Sequence, residues 1–220
     1  MKSNIKGINT FTLKWIAILS MLIDHVGAIF FPEQLWMRII GRMAFPIFAY
    51  LLVEGFVYTS NVKKYMARLG AFALLSEVAY DLAFFGVPLE FTHQNVFCTL
   101  FLGVLMLHLL VHMPEKWKQM LVLAVLFGVA YFLRVDYGYV GLVMIFLYYA
   151  LREERFFKLI AVAAVNVFFM GGVQSYAALA MIPIAFHNRK KGPGMKWLFY
   201  VFYPAHLLIL YLVLQISHVL

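Results

Sequence analysis

Long apolar runs separated by short polar breaks organise this sequence from end to end. Cut at those breaks, the pattern predicts nine membrane-spanning helices, over residues 11–31, 38–58, 65–86, 93–113, 117–134, 138–151, 156–171, 174–187 and 196–218. A helix needs roughly 20 apolar residues to cross the hydrocarbon core, and fewer where its neighbours shield it. The sixth to eighth runs are at the short end of that range. The runs are long and do not alternate with a period of two, which excludes a membrane β-barrel. The first run follows Lys2 and Lys6, as a signal peptide would, but it carries Asp24 and His25 and has no small-residue cleavage site, so it reads as a retained span. The expectation is an all-α polytopic membrane helix bundle forming one integral-membrane domain over residues 1–220, with no linker or internal repeat.

Composition agrees with that picture. Apolar residues make up 65% of the 220 positions and charged residues 13%, and the mean hydropathy is +0.87. A soluble domain is about half apolar and about a quarter charged. The net charge of +8 does not mark a nucleic-acid-binding face, because the basic residues sit between apolar blocks. Cys98 is the only cysteine, so an internal disulfide and a cysteine metal cluster are both excluded. Fifteen of the 18 Lys and Arg residues fall on one side of the nine-span arrangement, leaving Arg38, Arg42 and Arg134 on the other. The positive-inside rule then places the N-terminus in the cytoplasm and the C-terminus outside.

Ionisable residues inside a bilayer are costly and mark sites by default. Lys14 and His25 lie 11 residues apart in the first span, on nearly one helical face and ~16 Å apart along the axis. Lys14 sits at the cytoplasmic mouth and His25 past the middle, while Asp24 points about 100° away and pairs elsewhere. Arg38 and Arg42 stand one turn apart at the start of the second span, above Pro46, whose missing N–H predicts a kink just below them. Glu54 lies deeper in the same span. Glu77 and Asp81 share the arginines' depth in the third span, so the four read either as ion pairs between spans two and three or as a group that positions His25 and the acceptor. His93, Gln94 and Asn95 add polar groups to this outer layer, and Tyr203 shares a face with His206 in the last span. His108 and His112 have the spacing of a two-histidine metal site but lack a third ligand, so no metal is expected.

A basic mouth, a histidine deep on the same face and a polar outer vestibule suit transfer across the thickness of the membrane. An anionic donor could dock its phosphates on the lysines and thread a narrow arm toward His25; acyl-coenzyme A has that shape. A proton-coupled transporter or flippase would use the same mid-span histidine and carboxylates.

Four stretches carry a family resemblance: LKWIAILSMLIDHVG (Leu13–Gly27), GRMAFPIFAYLLVEGF (Gly41–Phe56), HQNVFCTL (His93–Leu100) and FYPAHLLIL (Phe202–Leu210). In this order they resemble the TraX family, polytopic bacterial proteins named for the acetylase of conjugative pilin. That family is similar in turn to the transmembrane acyltransferase superfamily, whose first span carries a basic residue, ten intervening residues and a His. Lys14 and His25 match that spacing, with Lys where many relatives have Arg. The resemblance implies a bacterial cytoplasmic-membrane acyltransferase that uses acetyl-CoA or another acyl-CoA, without a metal. The acyl group would pass to an amine or hydroxyl at the extracytoplasmic face, on a peptide, a glycan or a small amine. It implies His25 as the catalytic base and Lys14 as its companion, with Asp24, Arg42 and Glu54 as further catalytic-site residues. Lys63, Lys64, Arg68 and the Arg189–Lys191 run are then candidates for the donor phosphates. Arg38, Glu77, Asp81, His93, Gln94, Asn95, Tyr203 and His206 are candidates for the acceptor.

Overall fold

Asparagines at three of the breaks in the apolar pattern start helices by the same device. The side chains of Asn9, Asn61 and Asn95 accept the backbone N–H of Thr12, Lys64 and Phe97 at 2.9, 2.8 and 2.9 Å, satisfying one of the amides that a helix start leaves without a partner. The computed structural model describes residues 7–194 and 196–219; Lys2 and Lys6 of the charge pattern lie outside the described residues. Helices run over Thr10–Phe30 (α1), Leu35–Gly41 (α2), Ala44–Tyr58 (α3), Val62–Phe85 (α4), Val96–His112 (α5), Lys116–Phe132 (α6), Gly138–Ala150 (α7), Arg155–Val165 (α8), Met181–Ala185 (α9) and Lys196–Val219 (α10). Among the described residues the only strand-like pairings are two isolated bridges, Ile8 with His187 and Gln94 with Val135.

All nine predicted segments are helical, with two departures from simple spans. The second divides into α2 and α3 at Arg42–Met43, where Pro46 has no N–H to offer the Arg42 carbonyl. Residues 156–171 and 174–187, expected as two α-helical spans, are α8 running into a π-helical turn (Asn166–Met170), then a 3₁₀ helix (Gly172–Ala180) ending in α9. Asn166 donates its side-chain amide to the Val162 carbonyl at 2.8 Å, a local bond that competes with the regular helical ladder. Gly171 and Gly172 then take positive φ angles of 65° and 50°, which end the helix.

Residues 10–30, 35–58 and 197–217 are long and apolar enough to cross a membrane. α4 is 24 residues long, but Lys63, Lys64, Arg68, Glu77 and Asp81 interrupt its apolarity. Large side chains such as Leu74, Phe91, Phe132 and Phe168 are about four-fifths exposed, an outward apolar surface suited to lipid and costly in water. The protein is a membrane protein.

The chain divides into two compact units, with the divisions falling inside α3, at the end of α7 and inside α10. The first holds the described residues before Leu52 together with Leu151–Phe202, and the second holds Leu52–Ala150 and the described residues from Tyr203 onward. In the first, Leu13, Ala17, Ile18, Phe45, Ile47, Val162, Ala177 and Ile184 are buried; in the second, Leu69, Val104, Met106, Leu107, Leu142, Ile145 and Leu207 are.

Candidate functional site

α1 presents Leu13, Ala17, Met21, Asp24 and Gly27 to the interior of the first unit, a three-and-four spacing that defines one helical face. Two glycines let α2 approach that face. A Cβ on Gly27 would come within 2.7 Å of the Met37 Cβ, and one on Gly41 would overlap the Asp24 side chain. α2 and the residue that follows it therefore bring Arg38 and Arg42 onto Asp24. Arg38 Nη1 lies 3.1 Å from Asp24 Oδ1 and also donates to the Asp24 carbonyl at 3.1 Å. Arg42 Nη2 donates to Asp24 Oδ2, and Arg42 Nη1 donates to Gln174 Oε1 on the 3₁₀ helix at 2.6 Å. The Asp24 and Arg42 side chains are 9% and 15% exposed.

One carboxylate thus meets two guanidinium groups. His25 is the next residue, half-buried on α1 and turned about 100° from Asp24 around the helix. Lys14 is also half-buried, with its Nζ 4.8 Å from the centre of the Phe199 ring, which in turn packs edge-on against Phe11 and Trp15. The first unit therefore brings together Asp24, Arg38 and Arg42, with Lys14 and His25 on the same helix as Asp24. Gln174 is the member of this cluster that sequence spacing does not reveal.

Ion pairs between spans two and three were one expectation for these arginines. Their described ion pairs are with the first helix, through Asp24. Glu77 and Asp81, on α4 in the second unit, are engaged there by neutral donors. Asn95 is fully buried; its side-chain amide donates to Glu77 Oε2 and, at 2.8 Å, to the Ala73 carbonyl, while its oxygen caps α5. Asp81 Oδ2 accepts the Glu90 N–H at 2.8 Å. In the loop, Glu90's carboxyl is held below its usual range by bonds to Thr92. Gln94 is fixed by backbone bonds to Arg134 and Asp136 at 3.2 and 2.9 Å, and His93 is exposed.

Tyr203 and His206 are both buried on α10, with ring centres 5.8 Å apart, and Tyr203 packs edge-on against Phe97. Glu54 is half-buried on α3, Lys63 and Lys64 are exposed at the start of α4, and Arg68 lies over the Tyr65 ring. His108 and His112 face each other with ring centres 4.3 Å apart.

A second polar cluster of the first unit is absent from the sequence-derived candidates. His187 is 4% exposed and hydrogen-bonds Tyr50 Oη through Nδ1 at 2.9 Å and Thr10 Oγ1 through Nε2 at 3.1 Å. It stands beyond the end of α9. An isolated histidine carries no spacing signal, so only the folded chain identifies this cluster.

A family model described as TraX protein matches residues 10–214. A probable fimbrial assembly protein FimC, serogroup H1, of Dichelobacter nodosus is 29% identical over 92% of this chain and 94% of its own length. The Escherichia coli protein TraX is 32% identical over 33% of this chain and 30% of its own length. An uncharacterised protein of Rickettsia prowazekii is 30% identical over 41% of this chain and 33% of its length. No solved structure matches. The family match runs through the Asp24–His25 pair, the arginines of α2 and the Gln174 contact, and on that coverage the chain belongs to the TraX family.

Proposed function

We propose that the protein is an acyltransferase of the bacterial cytoplasmic membrane. It moves an acetyl or similar acyl group from cytoplasmic acyl-CoA to an amine or hydroxyl at the extracytoplasmic face. The observation that carries this reading is the Asp24–Arg38–Arg42 cluster immediately beside His25. His25 takes the proton of the attacking amine or hydroxyl, a contribution of roughly 10²–10⁴ in rate. The nucleophile bonds to the thioester carbonyl carbon, the C–S bond breaks, and the coenzyme A thiolate leaves with the proton held by His25. Arg42, braced by Asp24 on one side and Gln174 on the other, is already oriented for an oxygen that becomes negative during attack. Donors fixed in advance at such an oxygen are a large term in acyl-transfer catalysis.

Asp24 is the anchor of this arrangement rather than a second base. Lys14, on the same helix as His25, serves the donor. The Dichelobacter relative is named as a probable fimbrial assembly protein, so a fimbrial subunit is the first peptide acceptor to try. Coenzyme A at saturation should raise the melting temperature of the detergent-purified protein by several degrees, because a ligand that binds only the folded state stabilises it by mass action. Adenosine should not. An unchanged melting temperature at saturating coenzyme A would refute the donor assignment.

A further inference from the structure

The 3₁₀ helix over Gly172–Ala180 repeats every three residues, so side chains three apart stand in one row along it. Gln174, Ala177 and Ala180 form such a row. Ala177 and Ala180 are fully buried, whereas Tyr176 and Leu179, in another row, are exposed. An α-helix over the same residues would turn the three positions apart by about 60° at each step. The 3₁₀ winding thus keeps Gln174 in line with the inward alanines, in the unit that holds Asp24, Arg38 and Arg42.

The chemistry of its partner fixes which way the Gln174 amide faces. Arg42 Nη1 donates to Gln174 Oε1 at 2.6 Å. A guanidinium has N–H donors and no acceptor, so only the amide oxygen can face it; the reversed amide would set donor against donor. Gln174 Nε2 is bonded to the same carbon as Oε1 and is therefore held beside Arg42. It is buried and has no hydrogen-bond partner among the described residues. Buried donors in folded proteins are nearly all satisfied, and one left without an acceptor costs the desolvation of the group. The bond that fixes the oxygen prevents the amide from turning to find one. A donor held in this way, next to an arginine that already meets Asp24, is completed by an acceptor that a substrate brings.

We propose, on the reading of the protein as an acyltransferase, that Gln174 is a further catalytic residue whose Nε2 donates to the thioester carbonyl oxygen of the acyl donor. As the nucleophile bonds to the carbonyl carbon, the C=O π pair moves onto that oxygen, and the bond from Nε2 becomes charge-assisted and stronger. As the C–S bond breaks, the pair returns to re-form C=O, the thiolate leaves and His25 keeps the proton. The bond is worth most while the oxygen is negative, which is where a donor accelerates the reaction.

The probes are coenzyme A and an analogue with methylphosphonate in place of the acetyl group, whose tetrahedral anionic oxygens mimic the oxygen formed during attack. Each is titrated into the full-length protein in neutral detergent and followed by thermal unfolding. The wild type should bind the analogue roughly 10²-fold more tightly than coenzyme A, or better. Gln174→Ala should lose at least about tenfold in affinity for the analogue and keep its affinity for coenzyme A. A residue that only braces Arg42 would do the same, so the substitution is repeated in Arg42→Ala, where Asp24 keeps Arg38. Arg42→Lys takes its place should that variant fail to fold. Direct donation predicts a further severalfold loss of analogue binding in this background, because Gln174 then acts without Arg42. No further loss there, or an undiminished preference for the analogue in Gln174→Ala, would overturn the inference and leave acyl transfer standing. Failure of the wild type to bind coenzyme A would instead remove the acyl-transfer reading, and the role of Gln174 with it.

Discussion

In the first unit the buried carboxylate Asp24 is met by the guanidinium groups of Arg38 and Arg42, whereas in the second Glu77 is met by the amide of Asn95 and Asp81 by the backbone N–H of Glu90. Both arrangements give each acid a partner, although Glu77 Oε1 and Asp81 Oδ1 accept no hydrogen bond among the described residues, and their consequences differ. Two guanidiniums on one carboxylate are cations aimed and held in advance, and donors fixed in this way stabilise a developing negative charge at little cost in reorganisation. The donors on Glu77 are neutral. Their geometry instead ties α4 to the first turn of α5, because the same Asn95 side chain that meets Glu77 also caps α5 and holds the Ala73 carbonyl. The proposed function gives the first cluster a part in chemistry, whereas the second holds two helices in register.

Substitutions in the two clusters should separate these roles. Asp24→Ala removes the carboxylate that two partly buried guanidiniums share, so it should cost about 3–5 kcal/mol of stability and remove activity together with folded yield. Asn95→Ala should cost about 2–3 kcal/mol by leaving buried polar groups without partners, measured as a lower melting temperature or denaturant midpoint. Activity per folded molecule should stay near that of the wild type, and a selective loss in Asn95→Ala would erase the contrast between the units. The smallest structural effect belongs to Gln174→Ala, which frees one side of Arg42. Stability should fall by about 1 kcal/mol and kcat by roughly tenfold at unchanged KM for acyl-CoA, the signature of an interaction used in the transition state.

The helices were legible in the sequence because apolar runs of this length have few other solutions, and Pro46 marked the break that the chain makes at Arg42–Met43. The residues of the first cluster were legible as well, since ionised groups in apolar helices stand out. Their pairing was not. Depth in the membrane does not by itself name Asp24 as a partner of the arginines. The signal that favours Asp24 is a quieter one, namely Gly27 and Gly41, small residues that permit α1 and α2 to meet closely enough for the pairing. Gln174 lies 132 residues from Arg42 in a segment whose apolar run predicts an α-helix and which folds as 3₁₀. The Gly171–Gly172 pair carried the signal for that change.

The central claim is that His25, set beside the arginine cluster, carries the proton of acyl transfer. It is tested most directly by acyl transfer per folded molecule in His25→Ala, measured with coenzyme A binding on the same purified sample. The account predicts a fall in kcat of at least ~10² with donor binding and melting temperature close to wild type. Near-normal specific activity would contradict it, as would a loss of activity only in proportion to a loss of folded protein.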